Sequence, residues 1–394
     1  MTVKGAQVVI VGGGVTGLSA GWWLARQGAE VLVLEKFIVG WEASGRNGGG
    51  ASHSFSPLFL EEQRLWPQMD ELLGYPTEFQ PCRVRIGLTD ENMTMFRRQM
   101  AIAARQGFKA ELLTPQQVRE LVPLAGDNVI GGAFYHYGGH ANPQRTVQAY
   151  AWALQDLGGR ILQHCRVTGF RSQGGRVTAV ETDRGEFGCD SLVIAAGPQL
   201  GELAGQLGAE VPVAPARAEM IVTEPLPLMK HGGTDGNALY GRQTLRGNLV
   251  FGGGPHEWLD EAPVGARPAT TPLTRNLAGR LLELFPKAAH VRVIRSWAGI
   301  VENTPDGRPI LDRLKTVPNT VVATMSSIGF GLSPASGRAI ADLVLQGRCD
   351  FADLTSCRLD RFANLDPDWR QDRSWISPDA RASSAGSPLR TSQP

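Results

Sequence analysis

The chain has 394 residues, with 39 Lys and Arg against 38 Asp and Glu, a formal net charge of +1. That length suggests two domains or one large discontinuous one, with ample chain for a core. The balanced charge, with no strongly basic run, argues against nucleic acid or an anionic membrane as the main partner, and the short, broken apolar runs exclude a membrane span.

The chain opens directly on a strand, so no signal peptide is expected before the fold. A short β-branched run over 8–11 reads as a buried strand. Gly12-Gly13-Gly14-Val15-Thr16-Gly17 follows, then a helix over 18–27 stopped by Gly28, then a second apolar strand over 31–34 that ends on Glu35. Gly12 permits the tight turn, Gly14 lets the backbone approach a pyrophosphate, and Gly17 lets helix and strand pack closely. The helix N-terminus offers unpaired N–H groups and the positive dipole end to phosphates. The acid at the end of the second strand accepts hydrogen bonds from a ribose. Together these parts imply a bound dinucleotide.

Further along, 40–50 is a glycine-rich loop, and the spacings of 60–73 and 93–106 predict helices. A short helix over 116–121 is capped by Thr114 with Pro115 at its first position. Residues 135–143 read as a loop, and 144–157 as an amphipathic helix. A meander follows, with strands over 166–170, 177–182 and 191–196. Strand-like runs over 220–223, 238–243 and 248–252 predict an antiparallel sheet inserted between halves of the nucleotide domain. A helix over 273–285, a buried strand over 321–325, a Gly/Ser loop and a helix over 335–346 complete the fold. The composition of 380–394 reads as a disordered tail. The five cysteines (Cys82, Cys165, Cys189, Cys349, Cys357) are odd in number and contain no CxxC. They match neither a disulfide framework nor a zinc or iron–sulfur site, no metal is expected, and a reduced cytoplasmic setting is the simplest reading.

The opening motif does not separate NAD from FAD. The later segments do, because they run in an order that resembles the D-amino acid oxidase superfamily of FAD proteins. These segments are 11–17 with Glu35; Ala43-Ser44-Gly45-Arg46-Asn47-Gly48-Gly49; Gly139-His140-Ala141-Asn142-Pro143; and Val193-Ile194-Ala195-Ala196-Gly197. Trp297-Ala298-Gly299 with Thr304-Pro305-Asp306-Gly307, and Gly329-Phe330-Gly331-Leu332-Ser333, complete the series. Within the superfamily the chain is similar to the sarcosine oxidase beta-subunit, opine and hydroxyproline dehydrogenase branch. The resemblance implies an α/β (α+β) architecture, with a discontinuous Rossmann-like FAD-binding domain (1–55, 143–211, 298–355) and an antiparallel-sheet substrate domain (56–142, 212–297), while the polar composition beyond Asp366 marks 366–394 as a tail.

The same resemblance implies site residues. Gly12, Gly14, Val15, Thr16 and Gly17 face the pyrophosphate, and Glu35 with Lys36 meets the adenosine ribose. Ser44, Gly45, Arg46, Asn47, Gly48 and Gly49 wrap the pyrophosphate and approach the flavin ring. The backbone of Val167 meets adenine, and Ala196, Gly197 and Gly299 adjoin the cofactor. Gly329, Phe330, Gly331 and Leu332 present backbone N–H groups to the flavin N1/O2 edge, where negative charge develops on reduction. Each glycine also has a plainer reading as an ordinary loop or helix-entry residue.

The family pattern is broken in three places. The arginine that often holds a substrate carboxylate is replaced by Val301. The lysine of monomeric sarcosine oxidases is replaced by Gly331. Their flavin-linking cysteine corresponds to Gly299, so the FAD is expected to be non-covalent. Candidates for the substrate cavity are His53, Tyr240, Arg242 and His256. Tyr240 and Arg242 alternate on one strand, so they share a face and could hold a carboxylate or form a solvated pair. His53 and His256 have structural readings as well. Glu302 could bind a cationic group or cap the loop before Pro305, and Arg217 with Glu219 reads as a structural ion pair.

The implied activity is dehydrogenation of a secondary amine or N-substituted amino acid by transfer of a hydride to flavin N5, as one subunit of a complex whose partners accept electrons. Alternatives are a free-standing oxidase using O₂, a flavin-binding scaffold without its own amine chemistry, and an NAD-dependent dehydrogenase.

Overall fold

The computed structural model describes residues 3–254, 256–261, 268–366 and 368–369. The expected tail lies outside the described residues beyond position 369. Two sheets organise the rest. In the first, parallel strands run in the order Thr320–Thr324, Gly185–Ile194, Val3–Val11, Val31–Leu34 and Arg160–Leu162. Ile310–Arg313 closes one edge in antiparallel fashion, and the hairpin Val167–Gln173 with Arg176–Thr182 extends from Gly185–Ile194 as the expected meander.

Strands buried on both faces need apolar residues at every position, which is why 8–11 and 31–34 read as continuous runs. Val8, Ile10, Val33 and Val193 pack against the first helix (Val15–Arg26) and the last (Gly329–Gln346). Val9, Val11, Leu32 and Ile194 point the other way, toward Leu200, Leu203 and Ala204 of the helix Leu200–Gly205.

The second sheet has ten strands among the described residues, all antiparallel except for the pairing of Thr234–Gly236 with Gln80–Gly87. Its long strands are Ala214–Pro225, Val293–Asn303 and Gly131–His140. The helix Thr271–Leu284 covers it through Leu277, Leu281 and Leu284, which meet Ile221, Leu249 and Phe251.

Three local expectations are corrected. The helix over 60–73 is two helices, Phe59–Leu65 and Met69–Leu73, joined by a 3₁₀ turn at Trp66–Gln68. Pro67 lacks the N–H that a continuous helix would use there. The loop over 135–143 is mostly the strand Gly131–His140, in which Tyr135 and Tyr137 turn inward. Its glycines mark close approach between strands: a Cβ on Gly139 would stand 2.3 Å from the Gln80 carbonyl oxygen. The last helix begins at Gly329 rather than 335, with Pro334 near its start.

The first and last helices cross at small residues. Ser19 donates its hydroxyl to the Ser333 carbonyl at 2.7 Å, and Trp23 Nε1 donates to the Pro334 carbonyl at 2.9 Å. A Cβ on Gly337 would lie 2.6 Å from the Ser19 carbonyl carbon, so the helices touch through backbone. Gly337→Ala is therefore expected to lower stability by about 1–3 kcal/mol through overpacking. Gly279→Ala, on an exposed helix face where an added Cβ meets nothing within 4 Å, is expected to raise it by roughly 0.5–1 kcal/mol. Thermal melts of the two variants check the pair, and similar shifts in both would refute the crossing geometry.

Candidate active site

The opening glycine turn and the start of the last helix line one cavity. Gly12 has φ +112°, and a Cβ there would stand 2.3 Å from the Ala195 carbonyl oxygen. A Cβ on Gly17 would stand 2.1 Å from the Gly12 carbonyl oxygen, so the helix can start this close to the strand only without side chains. At Gly14 an added Cβ would meet only Ser44 Oγ, at 3.1 Å, which leaves that face of the turn toward the cavity. The cavity is lined by Gly12, Gly14, Val15, Thr16, Glu35, Lys36, Ser44, Asn47, Val167, Ala196, Gly197, Gly329 and Phe330. Thirteen of the expected cofactor residues thus meet at one place.

Two helix N-termini converge here. Gly14 caps the first helix without a side-chain hydrogen bond, and Ile328 does the same for the last. Their positive dipole ends and unpaired N–H groups suit the phosphates and an electron-rich flavin edge. Ser44 accepts from Val15 N at 3.0 Å and so fastens the glycine-rich loop over the first helix. Asn47 braces that loop, donating to the Ala43 and Ser44 carbonyls and accepting from Gly49 N at 2.8 Å.

Glu35 is occupied within the fold. Its Oε2 accepts from Gly13 N at 2.7 Å and its Oε1 from Phe37 N at 2.8 Å. A carboxylate has about four acceptor sites, so capacity for a ribose hydroxyl remains. The turn-fastening role thus leaves room in the same side chain for the expected ribose role.

Gly17, Gly45, Arg46, Gly48, Gly49, Gly299, Gly331 and Leu332 do not line this cavity. Arg46 instead clamps the loop to the strand Val293–Asn303. Its guanidinium donates to the Ala298 carbonyl at 3.1 Å and lies over the Trp41 ring, while Trp297 Nε1 donates to the Arg46 carbonyl. Gly299 sits against that clamp, with an added Cβ 3.4 Å from Arg46 Cβ. Gly48 and Gly49 lie under the second sheet, beside Tyr240 and Arg242 respectively. The place of the family lysine is closed: a Cβ on Gly331 would stand 2.3 Å from His53 Cε1 and 2.6 Å from the Gly50 carbonyl oxygen.

Tyr240 and Arg242 share a face, as the alternation requires, but reach different partners. Tyr240 Oη lies 3.3 Å from His256 Nε2, and Arg242 Nη1 donates to the Gly48 carbonyl at 2.7 Å. Burial pushes the Tyr240 phenol up to about 12 and the His256 imidazole down to about 4, with Arg280 opposing the first and adding to the second. Burial also lowers Arg242, to about 10. His53 Nδ1 lies 2.8 Å from the fully buried Glu62. His140, from the Gly-His-Ala-Asn-Pro segment, is buried and pushed down to about 3, first by burial and then by Arg242 and Arg83.

Arg217 bonds Glu257 at 2.8 Å, with Glu219 at 3.7 Å, away from the cavity. Glu302 lines the cavity; its carboxylate accepts from Thr324 Oγ1 and Met325 N. Val301, where the family arginine would stand, lines it too. Glu42, Arg166, Glu202 and Ser327 are lining residues that the motifs did not single out. Among the described residues, no group of three or more His, Cys, Asp or Glu could hold a metal, and no helix is long and apolar enough to cross a membrane.

Glu35→Arg is expected to lower the melting temperature of the cofactor-free chain as well as flavin occupancy. It removes the acceptor of two backbone N–H groups, each worth about 1–3 kcal/mol when left unsatisfied and buried. An unchanged melt without flavin would refute the turn-fastening role. Acid precipitation should leave no flavin in the pellet, because Gly299 offers no linking atom.

Comparison with known proteins agrees with the cavity. Residues 7–343 match the model of the FAD dependent oxidoreductase family. The beta chain of sarcosine oxidase from Rhizobium meliloti is 30% identical over 370 residues, covering 90% of this chain and 88% of that protein. A subunit of opine oxidase from Rhizobium meliloti is 27% identical, covering 87% of this chain and 94% of that protein. The solved structure of glycine oxidase from Geobacillus kaustophilus superimposes with a TM-score of 0.83 at 25% identity, covering 91% of this chain and 99% of that one. The chain belongs to the FAD-dependent oxidoreductases of the D-amino acid oxidase family and is an enzyme of amine or amino-acid oxidation that uses FAD.

Proposed function

We propose that this protein dehydrogenates a secondary amine or N-substituted amino acid of the sarcosine, opine or hydroxyproline kind, as the flavin subunit of a cytoplasmic complex. The observation that carries the substrate class is the Tyr240–His256 contact, with the Tyr240 ring beside Gly48 and neither side chain in the lining of the glycine-turn cavity, set in a chain whose relatives include the sarcosine oxidase beta chain and an opine oxidase subunit. In this reading residues 1–55, 143–211 and 298–355 carry FAD, and 56–142 with 212–297 cover the substrate side. The separation of the strands into two sheets supports that division, except that 50–51 and 298–303 pair within the second sheet. Gly14, Val15, Thr16 and Ser44 hold the pyrophosphate, Glu35 and Lys36 the ribose, and Val167 the adenine.

Bound FAD supplies the two-electron acceptor that takes a hydride from the carbon beside the amine nitrogen, leaving an imine for water to hydrolyse. The chain supplies position and polarity. Gly329 and Phe330, which line the cavity at the start of the last helix, would offer N–H dipoles to the reducing edge. Tyr240, a phenol at neutral pH, and His256, a neutral imidazole, hold a polar group of the substrate without charge. With Arg242 on the same strand face and Arg280 acting on both groups, this wall disfavours an ammonium, and the neutral amine is the form that can give up a hydride. Val301 and the Gly48-bound Arg242 leave no preset carboxylate fork like that of a simple amino acid oxidase.

The pH dependence follows in sign. His256 gains its proton only near pH 4 and Tyr240 loses its own only near pH 12, so neither titrates between. The rate of flavin bleaching should rise with pH through the pKa of the substrate amine and shift when an amine of different pKa is used. A midpoint fixed across amines would place the titrating group on the protein.

For electron transfer, the substrate should bleach the flavin quickly under anaerobic conditions, while air reoxidises the isolated chain slowly. A partner subunit or a quinone dye should restore turnover. Stopped-flow reoxidation by O₂ as fast as turnover would instead support the free-standing oxidase. That second reading draws on the 29% identity to glycine oxidase of Pseudomonas putida.

A further inference from the structure

We propose that Glu42 binds FAD as the neutral acid, donating a hydrogen bond to an oxygen of the dinucleotide, so that cofactor capture takes up a proton. Glu42 stands two residues before Ser44, in the loop that closes over the first helix, and lines the cavity. Both its carboxylate oxygens are buried, and neither has a hydrogen-bond partner. Among the described residues it is the one acid with both oxygens in that state. Buried polar atoms in folded proteins are nearly always satisfied, so an orphaned pair at a ligand cavity points to a partner that the ligand supplies.

The charges around it decide its form. Lys36 at the end of the second strand and Arg46 in the same loop favour the carboxylate, and Glu35 disfavours it. Glu302 on the facing strand, Glu202 and Arg166 also line the cavity. The cavity lining therefore carries four carboxyls (Glu35, Glu42, Glu202, Glu302) and two cationic side chains (Lys36, Arg166) before a doubly charged pyrophosphate enters. Burial outweighs the cations and raises Glu42 above the ordinary carboxylate range, while it lowers Lys36.

Glu302 has donors for one oxygen in Thr324 and Met325, and Glu35 has a donor for each oxygen in Gly13 and Phe37. Glu42 has none. As an anion it would add repulsion to the phosphates and keep two empty acceptors. As an acid it has one O–H to give, and phosphate, ribose or ribityl oxygens to receive it.

The sign is fixed by linkage. A group that must be protonated in the complex gives tight binding at low pH. Affinity is lost as pH rises from the free-chain pKa to that of the complex, by about tenfold per unit for one proton.

The test follows FAD release from the full-length holoprotein on dilution, by flavin fluorescence, from about pH 5 to about pH 9. Calorimetric re-addition of FAD in two buffers of different ionisation enthalpy counts the protons. The wild-type chain should take up about one proton over part of that range, with Kd rising about tenfold per pH unit there. E42Q keeps a donor without an ionisable proton. It should take up none and hold FAD more tightly than wild type at the alkaline end. E42A should also take up none, but bind more weakly than E42Q throughout. E202Q should keep the wild-type slope. Absence of proton uptake by the wild-type chain, or uptake that persists in E42Q or E42A, overturns the proposal. The two replacements differ in volume and polarity, so a folding failure in one leaves the other, and the wild-type proton count needs neither.

Discussion

The cavity depends above all on how closely the first and last helices approach. Ser19, Ser333 and Gly337 let their backbones touch, and that contact brings two N-termini to one volume. Dipole effects fade beyond the first turn, so a larger separation would leave the phosphates and the flavin edge each with weaker fields. Two side-chain hydrogen bonds and one missing methyl group therefore govern the electrostatics of the site. Trp66 reinforces the arrangement by donating to the Gly331 carbonyl at 2.7 Å, which ties the 3₁₀ turn at Pro67 to the opening turn of the last helix.

The glycine-rich loop is the second constraint. It is held at Gly13 through Gly40 N, at Val15 through Ser44, and at the second sheet through Arg46 and Arg242. A loop fixed at both sheets loses little further entropy when a ligand enters. Arg46 and Arg242 act in that assembly as ties between sheets. The same residues on a flexible loop would have been plausible ligands, which is why their type and position suggested direct binding.

Legibility in the sequence followed the range of the signal. The strand–glycine–helix–strand–acid unit spans 8–35 and needs only local contacts, so each residue type reports its own role. Thr114 with Gln117 forms the capping box that a threonine before Pro115 advertises. The strand Gly131–His140 was opaque because its glycines answer to the neighbouring strands, and those are distant in sequence. The last helix hid its start because Gly329, Gly331 and Pro334 are poor helix formers kept there by packing and by the need for bare backbone. Glu42 was opaque for a different reason. A glutamate in a loop is ordinarily solvated, and only the three-dimensional cavity reveals that both its oxygens are enclosed.

The hydrogen bond from Ser19 to Ser333 joins residues 314 apart. During synthesis the first helix therefore waits for almost the whole chain before its partner exists. Until then its apolar face has the strands Val3–Val11 and Val31–Leu34 and the helix Pro143–Asp156 for cover, but not its largest partner. Contacts this distant slow folding and prolong the life of partly exposed intermediates. Flavin can act in that interval only late, when the last helix arrives and completes the two-ended cavity. Supply of FAD during expression should thus govern the final, docking stage of folding rather than the formation of either sheet.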